Sequence, residues 1–167
     1  MKNPVQPLLK TRIRAMEPKD FAFVRELAAT FPTFTVPSEY ILWFFTRFHS
    51  RYCRILEQES GDLRAYLLAM PTSNPGDGIA IWQVAATTPN EAFALEYFAS
   101  YLQELAVGTG TTSVFFTTQQ ESVASLRLIR SLSKLFNCKL EQLNVVPSGQ
   151  GEYEFRISIG AAPRGPR

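Results

Sequence analysis

Runs of alternating and continuous apolar residues predict seven strands in this chain. Thr11 to Met16 alternates polar and apolar residues with a period of two, which is typical of a half-buried strand. Ile79 to Ala86 is almost continuously apolar, which is typical of a strand at the centre of a sheet. The other strands are predicted at 52–57, 63–70, 113–117, 139–145 and 152–159.

Apolar residues at helical spacing predict four helices between these strands. The first opens at residues 17–20, where proline and acidic residues suit the first turn of a helix. The second opens at residues 37–39 and runs to about Phe48 with an unusually aromatic face. The last two are predicted from Pro89 to Gly108 and from 121 to 136. The resulting order, β-α-α-β-β-β-α-β-α-β-β, predicts an α+β fold with a single mixed, mostly antiparallel sheet flanked by helices.

The domain organisation is predicted to be simple. Residues 11–159 are expected to form one domain, because a chain of 167 residues can bury about 70% of its unfolded surface in a single core. Residues 1–10 and 160–167 are predicted to be tails, since both carry Pro or Gly and little that could be buried.

The composition is that of a globular protein without a bias towards nucleic acid or a membrane. Hydrophobic residues make up 46% of the chain, and 17 Lys and Arg against 15 Asp and Glu leave a net charge of only +2. The longest apolar stretches are far shorter than the ~20 residues needed to span a bilayer. The first residues are too polar and too rich in proline for a secretory leader. A cytoplasmic protein that binds neither nucleic acid nor membrane is therefore expected.

Residue types that several common catalytic sites require are scarce. A zinc site is not expected, because the single His49 and the distant Cys53 and Cys138 lack metal-ligand spacing. The sequence has no Gly-x-Ser-x-Gly elbow and no Gly-x-x-x-x-Gly-Lys-Ser/Thr loop, which argues against serine-hydrolase and P-loop chemistry. Gly108-Thr109-Gly110 lacks the third glycine of a dinucleotide loop and is interpreted as a helix stop.

Several segments together resemble the GNAT acetyltransferases. The shared feature is an apolar central strand that leads directly into a helix, and Ile81-Trp82-Gln83-Val84-Ala85 resembles the central-strand motif of the ectoine-pathway diaminobutyrate acetyltransferases. Other segments that resemble the same family are Ser38-x-Tyr40 with Cys53 and Glu57, Thr117-Thr118 with Ser125 and Leu128, and Tyr153 to Ile157. The resemblance covers about residues 11–159.

This resemblance implies acetyl-CoA or another acyl-CoA as cosubstrate. In a GNAT protein the pantetheine arm pairs with the backbone of a splayed central strand, and the amides at the start of the next helix hold the pyrophosphate. The cofactor-binding residues implied here are Gln83, Val84, Ala85, Ala86, Asn90, Ala92, Ala94 and Leu95. The substrate-binding residues implied are Tyr40, Trp82 and Thr117.

The chain departs at three places from the patterns it resembles: the pyrophosphate loop and the catalytic tyrosine of many GNAT enzymes, and an aspartate of the diaminobutyrate acetyltransferases. Glu91 stands where an arginine is usual, and Ala92 and Ala94 stand at the two glycine positions of the pyrophosphate loop. A carboxylate near a pyrophosphate costs about 1–3 kcal/mol in a partly exposed site. Thr35 replaces an aspartate suited to an ammonium group, so diaminobutyrate itself is not expected as the substrate. Ile129 occupies the position of a proton-donating tyrosine, and no catalytic residue is assigned.

Several of these side chains also have a structural interpretation. Trp82 is interpreted either as a wall of the acceptor pocket or as a core aromatic, and Tyr40 either as a gate or as a packing residue. Gln83 is polar in an apolar strand and must find a hydrogen-bond partner, with either a structural or a functional role. An aromatic stripe on the third helix is interpreted as core or as a subunit contact, and consists of Phe93, Tyr97 and Tyr101.

Two functions of different classes are consistent with these residues. The leading hypothesis is a divergent GNAT N-acetyltransferase that transfers an acyl group from acetyl-CoA or another acyl-CoA to a small amine. Glu39 or Glu57 could supply a carboxylate for that amine. The alternative is a catalytically inactive GNAT-fold binding or regulatory module whose aromatic surface mediates association. A homodimer whose late strands pair across subunits is a further hypothesis.

Overall fold

One seven-stranded sheet organises the part of the chain that the computed structural model describes, which is residues 10–73, 77–87, 91–119, 130, 132–134, 137–145 and 152–158. Its strands are β1 (Thr11–Ala15), β2 (Cys53–Gln58), β3 (Leu63–Pro71), β4 (Ile79–Ala86), β5 (Ser113–Gln119), β6 (Leu140–Val145) and β7 (Glu152–Ser158). The helices are α1 (Phe21–Ala29), α2 (Glu39–Phe48) and α3 (Glu91–Thr109). The strand order is β1-β2-β3-β4-β5-β7-β6, and β4 with β5 is the parallel pair among antiparallel ones. The predicted α+β fold with a mixed, mostly antiparallel sheet is confirmed.

Local hydrogen bonds explain where the helices begin and end. A 3-10 turn at Pro18–Asp20 precedes α1, and Ser38 caps α2 by accepting a hydrogen bond from the backbone N–H of Ile41 at 3.2 Å. At the end of α3, Gly110 has φ of +70°, a left-handed conformation that favours glycine. The predicted helix stop in this segment is therefore confirmed.

The sheet separates two hydrophobic cores. Side chains of β3 alternate between them, with Leu67 facing α3 and Tyr66 facing α1 and α2. The α3-side core contains Phe98, Leu102 and Phe116, and the other core contains residues of both α1 and α2. The aromatic stripe Phe93, Tyr97 and Tyr101 packs partly buried against the α3-side core, which confirms its interpretation as a packing element.

Some predicted features lie outside the described residues. These are residues 1–9 and 160–167 of the predicted tails, Asn90 in the pyrophosphate loop, and Ser125, Leu128 and Ile129 in the predicted fourth helix. Within that helix, Arg130 and residues 132–134 are described and are helical. No helix in the described ranges is long and apolar enough to cross a membrane.

Candidate functional site

A β-bulge interrupts β4 at Trp82. Across the β3–β4 ladder Leu68 pairs with Gln83 and Ala69 pairs with Ile81, so Trp82 is the extra residue between them. The insertion shifts the alternation of side chains by one position. Ile81 therefore packs in the α3-side core, whereas Gln83, two residues later, faces α1 and α2.

β4 and β5 separate beyond this bulge. Their parallel pairing runs from Ile79 opposite Val114 to Ile81 opposite Phe116. Both strands are described further, to residues 86 and 119, without another pair between them in this stretch. We call this gap the wedge, with residues 82–86 of β4 on one side and 117–119 of β5 on the other. An unpaired backbone edge of this kind accepts an extended ligand in the manner of an added strand.

Trp82 and Thr117 are the first residues of their strands beyond the last β4–β5 pair, at the start of the wedge. Trp82 stacks on Phe45 of α2 with ring centroids 5.3 Å apart and planes 18° from parallel, and the residue as a whole remains 37% exposed. Thr117 is the first β5 residue beyond the last pair and is exposed. Because its neighbour Phe116 packs in the α3-side core, Thr117 points to the face that Trp82 shares. We call this side of the wedge the acceptor face.

Glu154 also lies on the acceptor face, and the sequence pattern did not single it out. It pairs with Thr117 across the antiparallel β5–β7 ladder, and residues directly opposite one another project to the same face. Its neighbour Phe155 packs in the α3-side core, as this alternation requires. Glu154 is half-buried. Only the strand register brings this carboxylate beside Thr117, which explains why local sequence patterns missed it.

Several known structures share this architecture, whereas neither a family model nor a curated protein sequence matches the chain. The diaminobutyrate acetyltransferase of Paenibacillus lautus, in complex with L-2,4-diaminobutyric acid and coenzyme A, has a TM-score of 0.76 at 20% identity over 90% of this chain and 96% of that one. The ribosomal-protein-S18-alanine N-acetyltransferase of Escherichia coli has a TM-score of 0.66 at 15% identity over 95% of this chain and 99% of that one. A GNAT superfamily phosphinothricin acetyltransferase of Sinorhizobium meliloti, in complex with acetyl-CoA, has a TM-score of 0.64 at 13% identity over 94% of this chain and 93% of that one. The chain has the GNAT fold.

The predicted cofactor residues of this GNAT fold occupy the β4 side of the wedge and the start of α3. Gln83 to Ala86 form the β4 strand beyond the bulge, and α3 begins at Glu91. A cleft of about 440 Å³ opens at the carboxyl end of β4, lined by Leu27, Thr30, Phe31, Ala86 and Thr87. Ala94 is fully buried and its methyl group packs in the α3-side core. Asn90 and the side chains of Glu91, Ala92 and Leu95 lie outside what the structure describes.

The Gln83 side chain links three segments of the GNAT fold. Its Oε1 accepts a hydrogen bond from the Tyr66 hydroxyl at 3.2 Å, and its Nε2 donates to the carbonyl of Thr35 at 2.7 Å. Burial raises the pKa of the Tyr66 hydroxyl, which therefore remains a donor at neutral pH. The buried amide of Gln83 thus has a structural role, since it holds the α1–α2 segment against β4. Its backbone remains on the wedge.

Tyr40 and its aromatic neighbours lie on the outer side of α2. Tyr40 is 67% exposed and stacks on Trp43 at 5.8 Å. Trp43 and Phe44 each contact Phe48, and all three are exposed. We call Tyr40, Trp43, Phe44 and Phe48 the α2 aromatic face. Tyr40 therefore contacts Trp43 on the outer side of α2, whereas Trp82 contacts Phe45 on the inner side.

The two carboxylates named as available partners for an amine, Glu57 and Glu39, are both paired with arginines. Glu57 accepts hydrogen bonds from Arg12 at 2.8 Å and from Arg14 at 3.0 Å, and these bonds hold the pKa of Glu57 below its usual range. Glu39 pairs with Arg25 at 3.4 Å on the surface. Glu57 therefore belongs to the ion pairs that join β1 and β2.

The remaining chemistry-bearing residues have packing roles. Cys53 is buried, and burial raises the pKa of its thiol to about 12, so it stays protonated and unreactive at neutral pH. The ring of His49 packs against Phe44 at 5.6 Å and Phe45 at 6.0 Å. Across the described ranges, no group of three or more His, Cys, Asp or Glu residues could hold a metal ion.

Proposed function

We propose that this chain is an N-acyltransferase that transfers an acyl group from acetyl-CoA or another acyl-CoA to a small amine. The observation that carries the proposal is the wedge, where the β4 edge of residues 82–86 is left unpaired beside a bulge and in front of α3. A pantetheine arm carries amide groups that pair with such an edge. The GNAT fold of the neighbouring acetyltransferase structures, two of which hold coenzyme A or acetyl-CoA, supports this assignment.

Ala94 is one of the two alanines at glycine positions of the pyrophosphate loop, and its buried position makes this replacement less unfavourable for donor binding. Its methyl group packs in the α3-side core, so this alanine does not project towards an anion at the helix start. The nineteen-residue helix α3 supplies backbone amides and a positive dipole at that end. Glu91 still opposes the anion, so we expect weaker donor binding than with an arginine at this position.

The transfer step needs a base on the acceptor face, and Glu154 is our candidate. The neutral amine nitrogen attacks the thioester carbon, the N–C bond forms, and the C–S bond breaks to release the thiolate of coenzyme A. The amine loses a proton to Glu154, and the thiolate takes up a proton from water. Unpaired backbone N–H groups on the wedge are suited to donate to the thioester oxygen, which becomes negatively charged during attack.

Two measurements test this function. Isothermal calorimetry with acetyl-CoA and with free coenzyme A measures donor binding, and thiol release in the presence of amines measures transfer. We expect saturable acetyl-CoA binding and amine-dependent thiol release. The absence of binding up to millimolar acetyl-CoA would refute the proposed function.

A variant pair tests the role of Glu154. Glu154→Gln should lower kcat about 10²- to 10⁴-fold, the usual contribution of a general base, while acetyl-CoA binding persists. Glu104→Gln is the matched control, because Glu104 is an exposed carboxylate on α3. Equal kcat values for the two variants would remove Glu154 from the mechanism and leave the acyltransferase assignment in place.

A second candidate function is a GNAT-fold binding or regulatory module without catalysis. The observation that favours it is the α2 aromatic face, whose four rings are exposed on one helix. Exposed aromatic patches of this kind mark interaction sites. On this hypothesis, Glu91→Arg combined with Ala92→Gly creates no turnover. Amine-dependent thiol release by the unaltered chain would exclude it.

A further inference from the structure

We propose that the α2 aromatic face docks on an anionic lipid surface, with its rings among the headgroups and nearby arginines paired with lipid phosphates. The feature that carries the proposal is the juxtaposition of four exposed rings with arginines that form no ion pair in the described part of the chain. The inference goes beyond the proposed function and does not depend on it, because it concerns the outer side of α2 and not the wedge.

The first observation is the concentration of exposed rings on one helix. In the described ranges, seven large apolar residues are exposed, and four of them form the α2 aromatic face. Each of the four is between 37% and 67% exposed, and ring contacts join them into one continuous patch. On its inner side α2 buries Leu42 and Phe45, so a rotation that covered the rings would uncover the core. A continuous apolar patch of this kind marks an interaction site.

The second observation is positive charge on the same side of α2. Arg47 is exposed and follows Trp43 by four residues, so helical spacing places the two on one side. Arg51, in the 3-10 turn after α2, is also exposed. Among the described residues neither arginine forms an ion pair, whereas Glu39 at the start of α2 is paired with Arg25 at 3.4 Å. The charge available to a partner is therefore positive.

Rings and arginines in one patch match the chemistry of an anionic bilayer surface. Tryptophan and tyrosine have an apolar body and a polar tip, and both are enriched where a membrane meets water. The arginine guanidinium donates hydrogen bonds to phosphate oxygens, and the negative potential of an anionic leaflet attracts it. A helix that lies in the plane of a membrane interface is held by these two contributions together.

The area of the patch favours a lipid surface over a second protein chain. A fully buried aromatic residue removes about 150–250 Å² from water, so the exposed parts of the four rings offer about 400 Å² together. A stable protein interface buries about 800 Å² on each partner. A lipid surface needs less apolar contact, because attraction between charges adds to it. The near-balanced net charge of +2 did not indicate this patch, since it does not tell where the arginines lie.

Sedimentation of the full chain with lipid vesicles tests the proposal. We expect the chain to bind vesicles of phosphatidylglycerol mixed with phosphatidylcholine about tenfold or more tightly than vesicles of phosphatidylcholine alone. Added salt should weaken the binding, because it screens the attraction between arginines and anionic lipids. Equal binding to both kinds of vesicle, or no binding to the anionic ones, would overturn the proposal.

Variants on the outer side of α2 identify the docking surface. The double variant Trp43→Ser/Phe48→Ser removes two rings, and Arg47→Glu reverses one charge. Because all three side chains are exposed, both proteins should keep the circular dichroism spectrum of the unaltered chain. We expect each to lower the partition coefficient for anionic vesicles about tenfold or more. Unchanged partitioning in both would overturn the proposal.

Matched controls lie on the other side of the sheet. Val107→Ser changes an exposed apolar residue of α3. Lys134→Glu reverses an exposed positive charge in a segment whose Leu132 packs in the α3-side core. Neither control should change the partition coefficient. Losses as large as those of the α2 variants would remove α2 as the site of docking.

Fluorescence reports where the rings lie. The chain has two tryptophans, so Trp82→Phe leaves Trp43 as the single source of indole emission. We expect anionic vesicles to shift this emission to shorter wavelength and brominated acyl chains to quench it. An unchanged Trp43 spectrum in protein that sediments with the vesicles would contradict docking through this face.

A competition experiment separates a lipid surface from other polyanions. A single-stranded oligonucleotide should neither shift the Trp43 emission nor displace the chain from anionic vesicles at moderate salt. An oligonucleotide that does both would overturn the lipid assignment in favour of nucleic acid. None of these measurements uses acetyl-CoA or turnover, so their outcome is independent of the acyltransferase function.

Discussion

Substitution of Gln83 by leucine tests how the α1–α2 segment is held against the wedge. In Gln83→Leu the side chain keeps a similar length but loses both polar atoms. The Tyr66 hydroxyl then loses the acceptor it contacts at 3.2 Å, and the Thr35 carbonyl loses the donor at 2.7 Å. Tyr66 is fully buried, so water cannot replace the missing acceptor without local opening.

The expected destabilisation follows mainly from the buried Tyr66 hydroxyl. A buried donor left without a partner costs about 1–3 kcal/mol, and this applies to the Tyr66 hydroxyl. Thr35 is exposed, so water can replace the donor that its carbonyl loses, and we expect Gln83→Leu to lower the free energy of unfolding by about 1–3 kcal/mol. Tyr66→Phe removes one hydrogen bond and leaves the bond from Gln83 to Thr35 intact, which costs about 1–2 kcal/mol. The double variant should lose less than the sum of the two single variants, by about 1 kcal/mol, because it removes both partners of one bond.

Urea unfolding followed by circular dichroism measures these free energies in all four proteins. The slope of the unfolding free energy against urea should remain the same, so that the midpoints report stability. A Gln83→Leu protein within about 0.5 kcal/mol of the unaltered chain would refute the reasoning, since that is the range of ordinary surface substitutions. Strict additivity of the two single variants would refute the specific coupling between Tyr66 and Gln83.

Three further predictions concern the fold and its assembly. Burial alone would raise the pKa of Asp20, but hydrogen bonds from Arg14 and from the backbone N–H of Glu17 outweigh burial, so the pKa lies below its usual value. Protonation of Asp20 therefore destabilises the fold, and the free energy of unfolding should fall as the pH drops below about 4. This fall should be less steep in Asp20→Asn. Gly78→Ala should lower the free energy of unfolding by about 1–3 kcal/mol, because the added Cβ would collide with the Phe115 ring. Gly108→Ala is the control, since position 108 lies in open space within α3 and alanine favours a helix, and it should be neutral or stabilising. Thermal unfolding measures both effects. The predicted homodimer would form through the late strands, so changing two aromatic residues of the α2 aromatic face to serine should not alter the oligomeric mass measured by light scattering. A monomeric mass for the unaltered chain would exclude the homodimer.

The departures at the start of α3 make donor affinity the informative quantity for this chain. The negative charge of Glu91 disfavours an anion, whereas Ala94, in the first turn of α3, is buried with its methyl group in the α3-side core. The unpaired β4 edge is independent of both, because backbone groups provide it. We therefore expect the pantetheine arm to contribute a larger share of donor binding than the pyrophosphate.

Local patterns in the sequence predicted most of the elements. The alternation in Thr11 to Met16, the apolar run Ile79–Ala86 and the start of the second helix at residues 37–39 depend on neighbours a few residues away. The structure contains each at nearly the predicted bounds. Strand β5 is longer than predicted, since Thr118 and Gln119 pair with β7. That extension depends on a partner strand remote in sequence.

The candidate site was predictable only in part. A family resemblance indicated Trp82, Thr117 and the β4 segment, and the GNAT fold agrees with the mixed sheet it implied. Sequence patterns did not indicate that the bulge turns Trp82 and Gln83 to the same face, or that Glu57 is bound by arginines. Both facts depend on pairing between strands.

The sequence by itself determined the order of strands and helices, their amphipathic faces and the absence of His- and Cys-rich catalytic motifs, because periodicity, capping and composition are local properties. Only the tertiary structure decided which polar groups meet. The β5–β7 register places Glu154 beside Thr117, and the separation of β4 from β5 opens the wedge. Register and strand separation depend on the packing of both cores at once, so no short segment of the chain encodes them.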